Sequence, residues 1–265
     1  MLGAVVGDVV GSIYERHNLK TKDFPLLSPG SRFTDDTVLT IACADALLNH
    51  ASGGNLPSNH DYASTFRDYY RRYPKAGYGS SFANWAASDL APAYNSWGNG
   101  SAMRVSPIGF AFDDLEQVLT EAKRSAAVTH NHPEGIKGAQ ATASAIFLAR
   151  TGHDKQAIKA YVEATFGYDL TQTLADIRPS YRFDVSCQGS VPQAIVSFLE
   201  STDFEDAIRN AISIGGDSDT IACMAGGIAQ AFYGGVPDVL SQPVIALLPA
   251  PFQEVLQAFT ARYSA

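Results

Sequence analysis

Gly215-Gly216-Asp217-Ser218-Asp219-Thr220 stands directly before the small, apolar run Ile221 to Tyr233. Far upstream, Thr34-Asp35-Asp36-Thr37 stands in the same way before Val38 to Leu48. In both places carboxylates and threonine hydroxyls crowd onto the first turn of a segment whose apolar residues predict a helix. A fold that joins the two clusters makes one oxygen-rich pocket. Asp and Thr favour helix starts, where their oxygens accept from free N–H groups and the helix dipole favours negative charge. One acid per helix needs no more than that. Asp217 and Asp219 lie two residues apart and project differently unless both turn toward one object, and the adjacent Asp35 and Asp36 repel each other. Carboxylates packed beside apolar sequence are hard to desolvate unless something positive neutralises them. The object that fits is one hard divalent cation, or two. Every donor is oxygen, with no Cys and no paired His at ligand spacing, which points to magnesium or manganese rather than zinc. The segment lacks the third acidic or amide position and the Gly of a calcium-binding EF-hand loop. On spacing alone, a metal site and two separate helix caps both stay open.

The composition sets the frame. The chain has 265 residues, 46% hydrophobic and 17% charged, enough apolar sequence for a sizeable core. A net charge of −8 and a pI near 5.1 argue against a broad electrostatic grip on nucleic acid or an anionic membrane, while leaving room for a local phosphate site. Cys43, Cys187 and Cys223 form an odd set without a CxxC and read as buried thiols in a reducing compartment. No basic region precedes an apolar run at the start, Asp8 interrupts the small residues there, and no segment is long and clean enough to span a bilayer. The expectation is a soluble, cytoplasmic protein without a membrane partner.

In chain order, Met1 to Tyr14 carries Gly3, Gly7 and Gly11 at four-residue spacing, a helix face nearly without side chains that implies a second backbone close by. Glu15 ends it. Lys20 to Arg32, with Pro25, Pro29 and Gly30, reads as a loop. Helices are predicted over Val38 to Leu48, Tyr62 to Tyr73, Ser81 to Leu90, Leu115 to Val128, Gly138 to Arg150, Asp154 to Thr165, Val191 to Leu199, Phe204 to Ile214 and Thr220 to Tyr233, with one or two more over Val244 to Tyr263. Gly53-Gly54 with Pro57, and Pro74 to Gly79, read as loops, and Gly167 to Gly189 as irregular. Pro192 reads as a first-turn proline, Gly234-Gly235 as a helix cap, and Pro237 as a stop. Ser96-Trp97-Gly98-Asn99-Gly100-Ser101-Ala102-Met103-Arg104 forms either a plain turn or a nest of N–H groups around an anion such as a diphosphate, with Trp97 free to stack on a flat ring. His130 and His132, two residues apart, do not share a helix face, which disfavours a His–metal pair and leaves His130 as a single functional candidate. There is no strand ladder, repeat or composition break, so residues 1–265 read as one all-α domain.

With these stretches assembled, the chain resembles the ADP-ribosylglycohydrolase family, of the dinitrogenase reductase-activating glycohydrolase and ADP-ribosyl-acceptor hydrolase type. The likeness runs over nearly the whole chain in order. Gly7 to Glu15 is similar to the family's opening motif and Thr34 to Thr37 to its first metal motif. Gly98 to Arg104 is similar to its phosphate loop, Thr129-His130 to its substrate-lining histidine, and Gly216 to Thr220 to its second metal motif. The resemblance implies a compact orthogonal bundle of helices and two divalent cations, magnesium or manganese. It implies Thr34, Asp35, Asp36, Asp217, Asp219 and Thr220 as their ligands, and Glu15 as a nearby ligand or base. By the same likeness Asn99, Gly100, Ser101 and Met103 hold the diphosphate, and His130 contacts the distal ribose.

The activity this implies is hydrolysis of the glycosidic bond between ADP-ribose and an acceptor, with a modified protein side chain or a small ADP-ribosyl compound as substrate. Nucleic acid enters only as an ADP-ribosylated substrate. Either Glu15 or Asp36 takes the attacking water's proton. Two alternatives differ in class: a catalytically silent relative that captures ADP-ribose, and another two-metal hydrolase such as a phosphatase. The acceptor and the oligomeric state are not legible in the sequence.

Overall fold

The computed structural model describes residues 1–51 and 56–263, so the loop expected at Gly53-Gly54 lies outside the described residues. The glycine face of the first segment has the neighbour it requires. A helix over Leu2–Gly11 (α1) runs antiparallel to one over Ser218–Tyr233 (α13) at backbone contact. A methyl built on Gly3 would stand 2.2 Å from the carbonyl oxygen of Gly226, one on Gly7 2.0 Å from that of Ala222, and one on Gly11 2.5 Å from Cα of Asp219. The contact is reciprocal, since a methyl on Gly226 would stand 2.2 Å from the oxygen of Gly3. No residue larger than Gly allows this approach. It sets the end of α1 beside the start of α13.

Between them the chain forms α2 (Asp35–Ala51), α3 (Asn59–Arg72), α4 (Ser80–Ala86), α5 (Gly100–Met103), α6 (Ser106–Ala111), α7 (Leu115–Ala127), α8 (Pro133–Arg150), α9 (Lys155–Phe166), α10 (Leu174–Ile177), α11 (Cys187–Leu199) and α12 (Phe204–Ser213). After α13 come α14 (Asp238–Leu247) and α15 (Ala250–Tyr263). Among the described residues the sole β feature is an isolated bridge between Gly98 and Ser186. The architecture is an all-α, compact, multi-helix domain around one hydrophobic core. Ala-rich α8 lies at its centre, with Ala139, Ala141, Ala143, Ala145 and Ile146 sealed from solvent. Cys43, Cys187 and Cys223 are buried and unpaired. No helix among the described residues is long and apolar enough to cross a membrane.

Several helix ends differ from the sequence reading, each for a local reason. α8 starts at Pro133 rather than Gly138, because Pro is preorganised for a first turn and His132 Nδ1 accepts the Glu134 N–H at 3.1 Å. α11 starts at Cys187, one turn before Val191: Ser186 Oγ accepts the Gly189 N–H at 2.9 Å, so Pro192 sits inside the helix. Thr173 and Asp176 form a capping box around α10 within the stretch read as irregular. Pro237 both follows α13 and occupies the N-cap of α14. The Gly234 cap is left-handed, φ 76°, as the sequence suggests. α3 begins at Asn59 because Ser58 and Asp61 make a capping box. Replacing Ser58 with Ala removes it and is expected to lower the unfolding free energy by about 1 kcal/mol in urea titration.

Candidate active site

The two acidic clusters meet. The hydroxyl of Thr220, on the first turn of α13, donates to Asp36 Oδ2 on the first turn of α2 at 3.3 Å. Asp8, Asp36 and Asp219 each place a carboxylate oxygen within 4.8 Å of the others, and all three are buried. The glycine contact between α1 and α13 brings Asp8 and Asp219 together. Asp8 itself fastens α1 to α2: it accepts the Thr34 N–H at 2.9 Å, the Thr34 hydroxyl at 2.6 Å, the Thr37 N–H at 3.1 Å and the Thr37 hydroxyl. Gly215 and Gly216, at φ 72° and 74°, turn the chain sharply into α13 and aim Asp217 inward. That left-handed pair is where a side chain would be strained.

The helix-cap reading fails for Asp217, which sits at the N-cap of α13 with no cap hydrogen bond. Its Oδ2 instead accepts from Asn99 Nδ2 at 2.7 Å. Among the described residues no Lys or Arg forms an ion pair with Asp8, Asp35, Asp36, Asp217 or Asp219. Asp36 Oδ1 is buried and has no hydrogen-bond partner. No cation offsets the carboxylates, so their proton affinities rise. Burial first, and then Asp8, pushes Asp35 up to about 8. Burial raises Asp217 to about 6 against the pull of its Asn99 bond. Burial followed by neighbouring carboxylates raises Asp36, through Asp8 and Asp219, and Asp219, through Asp217 and Asp8. Burial likewise raises Asp8, against its four bonds to Thr34 and Thr37. A buried oxygen without a partner, in a set of oxygen donors that lacks any counter-charge, fits a hard divalent cation.

The acids form one wall of a cleft of about 430 Å³. Of the residues singled out in the sequence, Glu15, Thr34, Asp35, Asp36, Asn99, Gly100, Met103, His130, Asp217, Asp219 and Thr220 line it together. Ser101 does not: it is fully buried and its hydroxyl donates to the Gly135 carbonyl at 2.7 Å. Trp97 is half-exposed and also outside the lining. The Gly98 to Gly100 turn is held from behind, with the Asn99 N–H donating to the Val185 oxygen at 2.7 Å and Cys187 N–H to the Trp97 oxygen at 3.0 Å. Both amide hydrogens of Asn99 have protein acceptors, Asp217 and Ser190 Oγ, so this side chain ties the turn to the second acidic cluster. His130 is buried beside the turn, and burial together with Arg104 lowers its pKa well below the ordinary imidazole value. Its ring is neutral at pH 7.

Two parts of this site had no role in the sequence reading. Asp8 enters the sequence reading as an interruption of small residues and as part of the Gly7 to Glu15 motif, with no role of its own, although a lone acid inside a fully buried helix face is itself a signal. Phe82, Tyr94, Phe183, Arg16 and Arg32 complete the cleft from segments far apart in sequence.

Residues 1–262 match the sequence profile of the ADP-ribosylglycohydrolase family. Among curated proteins the chain is 29% identical to human ADP-ribosylhydrolase ARH3 over 311 residues, covering 88% of this chain and 84% of that one. It is 26% identical to ADP-ribosylarginine hydrolase Tri1 of Pseudomonas putida (strain GB-1) over 272 residues, covering 89% and 71%. Among solved structures it superposes on an ADP-ribosylglycohydrolase-related protein complex with a TM-score of 0.71 at 27% identity, covering 99% of this chain and 96% of that one. A family match over almost the full length joins two acidic helix starts that converge in one cleft: the chain belongs to the ADP-ribosylglycohydrolase family, whose members hydrolyse ADP-ribosyl groups.

Proposed function

We propose that this protein is a metal-dependent glycosidase that releases ADP-ribose from an acceptor, a modified protein side chain in the first instance. The observation that carries the reading is the convergence of Asp35, Asp36, Asp217 and Asp219 in the same cleft as the Gly98 to Gly100 turn and His130, with Asp8 clustered against Asp36 and Asp219. Thr34, Asp35, Asp36, Asp217, Asp219 and Thr220 would hold two divalent cations, magnesium or manganese. Such cations, when bound, supply Lewis acidity and a more nucleophilic water near neutral pH.

The chain's own groups supply the rest. A cleft of about 430 Å³ falls in the range of small-ligand sites, commonly about 300–1,000 Å³. Gly100 and Ser101 open α5, where first-turn N–H groups lack intrahelical acceptors and suit a diphosphate. Met103, in the same short helix, is buried and lines the cleft, while Asn99 holds the turn against Asp217. Glu15, half-buried, and Asp36, buried, both line the cleft and are the two candidates to receive a proton from water. The surrounding carboxylates favour the positive charge that develops on the sugar as the glycosidic bond breaks. Three buried, unpaired thiols support a reducing, cytoplasmic setting.

Incubation with peptides ADP-ribosylated on serine or on arginine, with magnesium, manganese or EDTA, tests this directly. Free ADP-ribose is expected from at least one peptide in the presence of metal and none in EDTA. Release of inorganic phosphate, or release indifferent to EDTA, would overturn the assignment.

A further inference from the structure

Among the residues that line the cleft is a cation that the activity above leaves unused. Arg104 is completely buried, no carboxylate pairs with it among the described residues, and its Nε and Nη1 have no hydrogen-bond partner. Its guanidinium carbon stands 4.4 Å from the centre of the Phe66 ring. Nη2 donates to the Ser125 carbonyl at 2.9 Å and to the Thr129 hydroxyl oxygen at 2.8 Å. That oxygen in turn lies 2.7 Å from His130 Nδ1. An un-neutralised buried guanidinium is a costly way to hold one threonine.

One arrangement of protons fits every partner along this relay. Arginine carries only donors, so Thr129 Oγ1 is the acceptor in its bond with Arg104. The phenol of Tyr94 also faces Thr129, and burial pushes it up to about 12, so it keeps its proton and can donate to the second lone pair of Thr129 Oγ1. With Arg104 and Tyr94 both donating, the Thr129 oxygen has no lone pair left for an Nδ1–H, and its single hydrogen is free for His130 Nδ1. A neutral imidazole that accepts at Nδ1 carries its hydrogen on Nε2. Nε2 faces the turn: a methyl built on Gly100 would stand 3.2 Å from it.

We propose that Arg104 and Thr129 are positioning residues that lock His130 in the Nε2–H form, so that the histidine offers a donor, never a lone pair, to the anionic part of the substrate. This rests on the reading that the cleft receives ADP-ribose. With either neutral tautomer free to form, part of the population would point a lone pair at a phosphate or ribose oxygen and repel it. Loss of a hydrogen bond to a charged group corresponds to about a ten- to hundredfold change in affinity.

The test uses the full chain labelled with 15N-histidine, with the His130 signals identified by their absence in His130→Asn. Long-range proton–nitrogen spectra read the tautomer, and calorimetry with ADP-ribose and magnesium reads binding. The wild type is expected to show hydrogen on Nε2 alone. Thr129→Ser, which keeps the hydroxyl, retains that signature and the affinity. Thr129→Val mixes the tautomers and weakens ADP-ribose binding by about ten- to hundredfold. A wild-type ring protonated at Nδ1, or a Thr129→Val protein with unchanged tautomer and affinity, would overturn the proposal. Should Thr129→Val fail to fold, the wild-type and Thr129→Ser spectra still decide it. A wild type that shows the Nε2–H ring but binds no ADP-ribose counts against the proposed substrate and leaves the lock intact.

Discussion

Asp219→Asn is expected to lower the rate of ADP-ribose release by about a thousandfold or more, the equivalent of ~4 kcal/mol of transition-state stabilisation. The same change should make the metal-free protein more stable at pH 7. The reason is the direction in which Asp219 titrates. Burial, and then the charges of Asp217, Asp8 and Glu15, hold its pKa well above the ordinary 3.8. A carboxyl that binds its proton more tightly in the fold than in the unfolded chain contributes stability that is complete below the unfolded value. That stability is lost as pH rises through the folded value. Asp217, raised to about 6, and Asp35, raised to about 8, act in the same sense, so the window runs from about pH 4 to pH 8. Metal-free wild type should therefore melt at progressively lower temperature across that window, and Asp219→Asn should flatten the slope. Magnesium at a hundred times its dissociation constant adds about 2.7 kcal/mol. For a chain of this size that raises the wild-type melting temperature by roughly 5–10 °C, and the variant should gain much less. Scanning calorimetry with and without magnesium, beside the release assay, checks both halves. Normal turnover in the variant would remove Asp219 from the proposed metal set.

Gly7→Ala is expected to destabilise the protein by about 3 kcal/mol or more, with a fall in melting temperature of roughly 6–12 °C. The added methyl would lie 2.0 Å from the Ala222 carbonyl oxygen and 2.8 Å from the Cys223 nitrogen. These are backbone atoms in the middle of α13 and cannot rotate aside, so the helices must part. Gly79→Ala is the control: a methyl there meets nothing within 4 Å, at φ −60°, and stability should change by less than about 1 kcal/mol. Because α1 carries Asp8 and α13 carries Asp219, the Gly7 variant should also lose part of the magnesium-induced rise in melting temperature. A Gly7→Ala protein that melts with the wild type would contradict the backbone contact.

The helical class, the small-residue face of α1 and both acidic helix starts were legible because each leaves a local trace. Periodic apolar residues mark a helix, glycines every fourth position mark a close neighbour, and adjacent acids mark an unmet need for positive charge. What the sequence lacked was the third dimension. Asp8 has no acidic neighbour in the chain and enters the cluster only because Gly11 abuts Asp219. Asn99 lines the cleft, but that Asp217 and Ser190, distant in sequence, accept its amide hydrogens leaves no local trace. Ser101 turns its hydroxyl to Gly135 for the same reason: the acceptor comes from another element. Pro192 was read as a helix start because prolines favour first turns, yet the Ser186 cap carries α11 back to Cys187. Local chemistry announces helix starts and stops well; it says little about which carbonyl a side chain will find across the fold.

The antiparallel seam of glycines also governs when this protein can come into existence on the ribosome. The helix over Leu2–Gly11 must wait for a partner, Ser218–Tyr233, that is translated far later in the chain. Until then its bare face, and the acids beside it, have no completed surroundings. Dependence on so distant a pairing slows assembly, because the chain must close a long loop before that contact rewards it. During synthesis the half-made protein presents sticky, apolar surface, the state in which chaperones most often intervene.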